Sequence, residues 1–267
     1  MSAVPQATSP TDNARQTKGT LYLVPAPLDF GCAELASLTD VMPNATLLVA
    51  ARLQHWICEN AKSTRAYLKR VDALQPLAQP LQALQIQELP REVHKKGDHI
   101  GQFDARPLLA DALRGHDVGL VSEAGMPAIA DPGSSVVRAA HDLGIRVVVL
   151  TGPMSLMLAL AASGLNGQSF AFVGYLPQDP GERAHRIREL ESLALKTTQT
   201  QIFIETPYRN AALLQALLQT LQSNTRLALS CGLTMASGWS RSASVSHWKK
   251  EKSAYPLDLP TVFCIGR

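Results

Sequence analysis

Four side chains in this sequence have the chemistry to remove or share a proton and lie in predicted loops or at strand ends: Glu123, Asp131, Glu205 and His94. Carboxylates and imidazoles do this work when a hydroxyl group must be activated. Each also has an ordinary structural interpretation. Asp131 suits a helix N-cap, and Glu123 can face solvent in its loop. Glu205 can pair with Arg209, and His94, among lysines, is typical of a surface. The sequence alone leaves the general base open.

Two of these carboxylates lie in the stretch 119–133, which reads GLVSEAGMPAIADPG. It continues an apolar strand over 118–121, breaks into a loop of small residues, and leads at Pro132 into a helical pattern. In a parallel sheet, a strand followed by a glycine-containing loop and a helix opens a crevice for a ligand. The stretch matches neither GxGxxG nor GxxxxGK[ST], so nucleotide binding by those two routes is disfavoured.

The composition predicts a globular protein in the cytoplasm. The chain has 267 residues, of which 46% are hydrophobic and 18% charged, with a net charge of +3. This mild basicity allows a nucleic-acid partner without requiring one, and the 5% aromatic content does not indicate a base-stacking surface. The four cysteines are far apart, which favours reduced thiols and no metal site. No apolar run is long enough for a membrane span, and 1–18 is predicted to be a disordered leader.

The elements that must position the loop residues alternate between strand and helix in the first half of the chain. Strands are predicted at 19–24, 45–51, 84–89, 118–121 and 145–150. Helices are predicted at 33–40, 52–71, 107–114 and 154–163, and 90–101 is predicted to be a loop. Such alternation is typical of a mostly parallel sheet covered by helices.

The second half contains more strands than helices. Strands are predicted at 169–175, 200–205, 226–231, 238–247 and 260–265, with helices at 182–195 and 209–222. This pattern predicts an α+β unit with a mixed sheet. We therefore expect an α/β protein with a leader at 1–18, an N-terminal domain at 19–165 and a C-terminal domain at 166–267.

Five collinear segments resemble the tetrapyrrole (corrin/porphyrin) methylase superfamily, and most of all its branch of small-subunit rRNA cytidine-2′-O-methyltransferases. They are LYLVPAP at 21–27, VSEAGMPAIADPG at 121–133, TGPMSLMLALAASGL at 151–165, FAFVGYLP at 170–177 and IFIETPYR at 202–209. The resemblance implies a two-domain enzyme that binds S-adenosylmethionine in the cleft between its domains. It also implies a homodimer, with rRNA or a small-subunit ribosomal particle as partner.

Carried over by motif, the resemblance implies a set of cofactor-binding residues: Pro25, Leu28, Gly125, Met126, Pro127, Ile129, Met154, Ser155, Thr206, Gly232, Leu233, Pro260 and Thr261. The apolar members suit the adenine ring and the methionine stem, and broken strand ends offer backbone donors and acceptors. These loops contain no lysine, which suits a cationic sulfonium group.

The side expected to face the acceptor departs from the rRNA branch. That branch usually has Ile-Gly-Asn after its first strand, where this chain has Leu28-Asp29-Phe30. The branch also has Glu-Asp-Thr-Arg after its second strand, where we align Ala51 to His55. Two further hypotheses therefore stand beside an rRNA ribose 2′-O-methyltransferase. One is a methyltransferase of the same superfamily with a small-molecule or other RNA acceptor, and the other is a non-catalytic binding relative.

Overall fold

A computed structural model describes residues 17–96, 98, 103–251 and 255–267, with the backbone alone at 94–96. Residues 1–16 of the expected leader lie outside this description. Short apolar segments of the first half form a five-stranded, wholly parallel sheet in the order β3-β2-β4-β1-β5. Its strands are β1 (Thr20–Leu23), β2 (His55–Cys58), β3 (Gln85–Glu88), β4 (Val118–Val121) and β5 (Arg146–Val149).

Helices cover both faces of this first sheet, which is why its central strands are mostly apolar. They are α1 (Leu38–Val41), α2 (Asn44–Arg52), α3 (Ala61–Asp72), α4 (Arg91–Lys96), α5 (Ala110–Leu113) and α6 (Ser134–Asp142). Trp56 packs with the α2 and α3 side, whereas its neighbour Ile57 packs with the α5 and α6 side. The alternation of side chains along β2 thus fills two cores.

The sequence prediction is wrong over the segment between β1 and β3. Residues 45–51, predicted to be a strand, form α2, and the predicted helix 52–71 is β2 followed by α3. Short apolar runs do not distinguish a buried strand from a buried helix, which explains this exchange. The helix predicted at 33–40 is confined to Leu38–Val41, and the loop predicted at 90–101 contains α4.

The second half forms a five-stranded mixed sheet in the order β6-β7-β10-β8-β9. Its strands are β6 (Phe170–Tyr175), β7 (Thr200–Glu205), β8 (Arg226–Cys231), β9 (Trp239–Ser244) and β10 (Thr261–Gly266). The β6–β7 pair is parallel and the other pairs are antiparallel. The expected α/β class, with a parallel sheet followed by a mixed one, is confirmed.

Helices also cover both faces of the second sheet. One face carries α8 (Pro180–Thr197), α9 (Asn210–Thr220) and α10 (Val245–Lys250), and the other carries α7 (Ser155–Ser163). Leu156, Ala159 and Leu160 of α7 pack against Ile202 and Cys264 of the second sheet. The small-residue helix that follows β5 therefore joins the two sheets. Within the described residues, no helix combines the length and apolar character needed to cross a bilayer.

Candidate functional site

The loops that follow β1 and β4 are bonded to each other. The two strands are parallel neighbours, so their carboxyl ends open at the same edge of the first sheet. Just beyond that edge, the Ala26 amide donates to the Gly125 carbonyl and the Gly125 amide donates to the Ala26 carbonyl, each at 2.9 Å. This isolated bridge fixes the start of the loop 122–133.

The loop 122–133 keeps an unusual backbone conformation. Gly125 has φ +70°, and Ala128 and Ala130 both have φ +65°. Alanine rarely adopts the left-handed region, and such strain is concentrated at functional sites. At Gly125, an added Cβ would lie 3.3 Å from Cδ2 of Leu28. The loop is therefore shaped by its surroundings and has little room beneath Gly125.

Asp98, and not Asp131, holds the start of α6. Its carboxylate accepts hydrogen bonds from the Gly133 amide at 2.9 Å, the Ser135 amide at 2.8 Å and the Ser135 hydroxyl at 2.6 Å. Burial opposes ionisation of Asp98, but these hydrogen bonds and one from Ser134 lower its pKa below the usual value. The N-cap position itself is occupied by Gly133. The interpretation of Asp131 as a helix cap is therefore wrong. Its carboxyl group does not cap α6 and is able to take part in the chemistry of the cleft described next.

A cleft of about 720 Å³ lies between the loops of the first sheet and the ends of β7 and β10. The expected cofactor residues that line it are Leu28, Gly125, Met126, Ile129, Met154, Ser155, Thr206, Leu233, Pro260 and Thr261. Pro25, Pro127 and Gly232 are buried and lie outside its walls. Pro25 packs against Gly152, where an added Cβ would lie 2.2 Å from the proline Cγ. The amide of Gly232 donates to the Pro260 carbonyl at 3.0 Å. These two residues thus support the cleft from behind.

The walls of the cleft are apolar and acidic. Methionine, leucine and isoleucine side chains make up much of the surface, and the charged wall residues are Asp131, Glu205 and Asp258. Within the described part of the chain, no lysine or arginine lines the cleft. Such walls favour a partly apolar ligand that carries positive charge over a phosphate-bearing one.

Three carboxyl groups meet where the two neighbouring strands β2 and β4 end. Burial, with the nearby charge of Glu123, raises the pKa of Asp131 to about 7. Burial, with the charges of Asp131 and Glu123, raises the pKa of Glu59 to about 8. The Ser63 hydroxyl donates to Glu123 at 3.1 Å. A carboxyl group in a cleft with a pKa near 7 can exchange a proton at neutral pH.

Glu205 lies in the cleft wall but is held by its own turn. Its Oε1 atom accepts from the Thr206 amide at 2.7 Å and from Arg209 at 2.9 and 2.6 Å. The side chain is only 3% exposed. These bonds suit a carboxylate that fixes the turn after β7. The remaining candidate, His94, has its side chain outside the described residues.

Sequence reasoning missed Glu59 because the segment around it was predicted to be one long helix. The second strand ends at Cys58, so the acidic residue that follows it is Glu59, and the alignment at Ala51 to His55 is wrong. Asn60 provides the signal that was available, because its side chain caps α3 by accepting from the Lys62 amide at 2.8 Å. An N-cap at this position rules out a helix that continues from residue 52. Among the described residues, no group of three or more histidine, cysteine or acidic side chains is arranged to hold a metal ion.

Comparison with known proteins places the chain among methylases. The family model described as Tetrapyrrole (Corrin/Porphyrin) Methylases matches residues 42–238. A Vibrio cholerae protein called ribosomal RNA small subunit methyltransferase I is 31% identical over 226 residues, or 84% of this chain and 69% of the relative. A protein of the same name from Mesorhizobium japonicum is 32% identical over 222 residues, or 83% of this chain and 66% of the relative.

Other matches cover less of the compared proteins or show lower identity. A protein of the same name from Halalkalibacterium halodurans is 33% identical over 197 residues, or 73% of this chain and 58% of the relative. The chain therefore matches between 58% and 69% of the length of these curated relatives. A solved structure of uroporphyrin-III-C-methyltransferase from Thermus thermophilus is 18% identical, with a TM-score of 0.49 and coverage of 93% of this chain and 94% of that one.

Proposed function

The chain belongs to the tetrapyrrole (corrin/porphyrin) methylase family, and from that premise we propose that it transfers a methyl group from S-adenosylmethionine to a ribose hydroxyl of small-subunit ribosomal RNA. One observation carries the proposal. The motifs that resemble the family come from both sheets, and they meet in a single cleft of about 720 Å³ with apolar and acidic walls. This volume lies within the range of about 300–1,000 Å³ that is usual for small-ligand sites.

The residues of the cleft fit the proposed methyl donor. When bound, S-adenosylmethionine supplies an electrophilic methyl group on a positively charged sulfur. Met126, Met154 and Leu233 offer apolar walls to its adenosine and its methionine stem. The carboxylates of Asp131 and Asp258 give the cleft a negative potential, which stabilises a fixed positive charge. We propose the thirteen carried-over residues as the cofactor site, with Pro25, Pro127 and Gly232 acting as supports behind the wall.

Asp131 is the proposed general base. A ribose hydroxyl must lose its proton as it is methylated, and the most effective base has a pKa near the working pH. Asp131 lines the cleft, and burial beside Glu123 raises its pKa to about 7. Glu123 is the second candidate, whereas Glu205 is proposed to position the turn through Arg209. The walls supply the remaining contribution by aligning donor and acceptor and excluding water.

The rRNA acceptor is supported by the names of the curated relatives. It would also place the enzyme in the cytoplasm, where ribosomes are assembled. The segment Leu28-Asp29-Phe30 supports a second candidate, a different acceptor for the same donor. Asp29 is 3% exposed and accepts hydrogen bonds from two guanidinium nitrogens of Arg70 at 3.1 and 2.9 Å. The difference from the Ile-Gly-Asn of the rRNA branch is therefore part of the packed structure.

Methyl transfer to ribosomal particles tests the proposal. The full chain is incubated with tritiated S-adenosylmethionine and small ribosomal subunits from a strain that lacks the corresponding modification, with one of the curated relatives as positive control. We expect tritium in the rRNA, at a rate that Asp131→Asn lowers by at least about a hundredfold. Label in other RNA or in small molecules alone supports the second candidate. Binding of S-adenosylhomocysteine without any methyl transfer to a cellular extract supports a non-catalytic relative instead.

We also propose that the two sheets are the cores of two domains and that two copies of the chain form a homodimer. Exposed apolar side chains lie on three consecutive elements, with Val149 on β5, Leu158 on α7 and Phe170 on β6. β5 and β6 are the outer strands of their sheets, so this face is available to a second copy. Sedimentation should show a dimer that Leu158→Glu dissociates. A wild-type monomer at micromolar concentration contradicts this part.

A further inference from the structure

A second cavity, of about 450 Å³, adjoins the cleft. The two share Phe30 and Gly31 as common wall residues. The other walls come from the loop after β1, the first three turns of α3 and the end of β4. Glu123 lines this second cavity, and its charge acts on Asp131 in the cleft. A ligand in the second cavity would therefore lie next to the proposed general base.

Tyr67 gives this cavity an unused hydrogen-bonding group. The residue is 6% exposed and lines the wall, and its hydroxyl has no hydrogen-bond partner in the described part of the chain. Leaving such a group unpaired costs about 1–3 kcal/mol, so its retention indicates a partner that the chain alone does not provide. Burial raises the pKa of Tyr67 well above the usual value, so the O–H remains protonated and is able to donate.

Two neighbouring polar side chains of the cavity wall, Thr64 and Arg70, are satisfied within the fold. The Thr64 hydroxyl donates to the Asn60 carbonyl at 2.8 Å, and Arg70 donates to Asp29 and, at 2.6 Å, to the Ala36 carbonyl. Ser122, which is 5% exposed and lies beside Glu59, has a hydroxyl without a hydrogen bond of ordinary geometry among the described residues. Among the described residues of this wall, the hydroxyl groups without a hydrogen bond of ordinary geometry are therefore those of Tyr67 and Ser122. Both line the second cavity, and Ser122 lies on the side that faces Glu59.

The remaining walls suit a flat, partly apolar ring attached to a phosphate. Phe30 is 47% exposed at the junction of the two cavities and offers a ring face. Ala66 and Leu35 add apolar surface, and Lys62 is exposed at the rim. Aromatic side chains stack on nucleobases, and lysines at a rim contact the phosphates of the strand.

We propose that the second cavity is the acceptor pocket, that it takes one nucleoside turned out of an RNA strand, and that Tyr67 positions its base against Phe30. This inference rests on the proposed methyl transfer to RNA. A base in a folded RNA is reached by extruding its nucleotide into a pocket, where polar edges and stacking hold it. The shared wall at Phe30 and Gly31 then brings the ribose of that nucleotide to the mouth of the cleft.

Single-atom and pocket-filling variants of the full chain test this inference. Tyr67→Phe removes the hydroxyl alone, and Ala66→Trp fills the cavity from an exposed position on α3. Tyr255→Phe is the matched control, since its hydroxyl bonds to Glu251 at 2.8 Å within the second half of the chain. For each variant we measure kcat and KM for small ribosomal subunits, the dissociation constant of S-adenosylhomocysteine, and the melting temperature.

We expect Tyr67→Phe to lower kcat/KM for the RNA at least tenfold, and Ala66→Trp to abolish transfer. In both variants the dissociation constant of S-adenosylhomocysteine should change less than twofold, and the melting temperature should not fall. If both variants have the wild-type kcat and KM for the RNA, the second cavity is not the acceptor pocket. That result would not affect the proposed donor site. Loss of S-adenosylhomocysteine binding in Tyr67→Phe also overturns it, because the cavity would then serve the donor. A wild-type chain that binds S-adenosylhomocysteine but methylates no RNA excludes an RNA pocket, and failure to bind it at all removes the proposed function itself.

Discussion

Ala26 and Gly125 exchange two backbone hydrogen bonds of 2.9 Å, which couple the loop after β1 to the loop after β4. Each loop supplies walls to the cleft, through Leu28 on one side and Met126 on the other. Because the bridge is made by main-chain atoms, the geometry depends on the backbone conformation of Gly125. A disturbance at this point should therefore change ligand binding as well as stability.

Replacing Gly125 with alanine should weaken S-adenosylhomocysteine binding at least tenfold, because the new Cβ at φ +70° would press on Leu28. Gly164→Ala is a matched control, since Gly164 has φ +66° and no atom of the described residues lies within 4 Å of an added Cβ. Both variants should lose about 1 kcal/mol of stability from the left-handed conformation. Calorimetry and thermal melts separate the two effects. Equal binding in both variants would show that the bridge does not shape the site.

The pH dependence of methyl transfer should report the ionisation of Asp131. A general base acts when deprotonated, so kcat/KM should rise with pH through about 7 and then level off. Asp131→Asn should lower kcat by about 10²–10⁴-fold and remove this rise. Asp104→Asn, in the exposed pair with Arg106, is the control. If the rise persists in Asp131→Asn, the base is another group, and Glu123→Gln becomes the next variant to measure.

Glu59 should make the protein less stable as the pH rises. Its pKa is raised from 4.5 to about 8 in the folded chain, so the folded state retains a proton that the unfolded state releases. Stability should therefore fall between about pH 5 and pH 8 and then become constant. Glu59→Gln should remove this contribution and be more stable than the wild type at pH 9, by at most about 5 kcal/mol, because the pKa moves from 4.5 to about 8 and one pKa unit corresponds to about 1.4 kcal/mol. The free energy of unfolding of both proteins is measured from pH 5 to 9. The same pH dependence in the wild type and in Glu59→Gln would contradict this account.

The pair formed by Glu205 and Arg209 should be important for folding as well as for the cleft. Arg209→Ala would leave the buried carboxylate without its guanidinium partner, which should cost roughly 2–4 kcal/mol. Arg186→Ala, which breaks the exposed pair with Glu189, should leave the melting temperature nearly unchanged. Denaturant unfolding of both variants provides the comparison. Equal stability would mean that the turn after β7 does not depend on this pair.

The fold class could be predicted from the sequence because apolar segments and glycine loops alternate over most of the chain. The order of α2 and β2 could not, since ATLLVAAR and HWIC are both short, apolar and buried, and the tertiary structure decides between strand and helix. That error also concealed Glu59.

The candidate site could be predicted only where motifs mark it, as at Gly125 and Met154. Asp131 resembles a cap by position, but a residue far back in the chain, Asp98, takes that role. Likewise, the Tyr67 hydroxyl lacks a partner among the described residues because of how the fold packs, and a low aromatic content does not reveal that Phe30 lines the same cavity. Long-range contacts of this kind leave no local pattern.

Calorimetric titration with S-adenosylhomocysteine tests the central claim most directly, using the wild type and two tryptophan variants. Ile129→Trp fills the cleft from a partly exposed wall position, and Leu48→Trp adds the same side chain on α2, away from the cleft. We predict saturable binding of one molecule per chain to the wild type and to Leu48→Trp, and none to Ile129→Trp. Absence of binding to the wild type at high micromolar concentration, or equal binding to Ile129→Trp, would contradict the account.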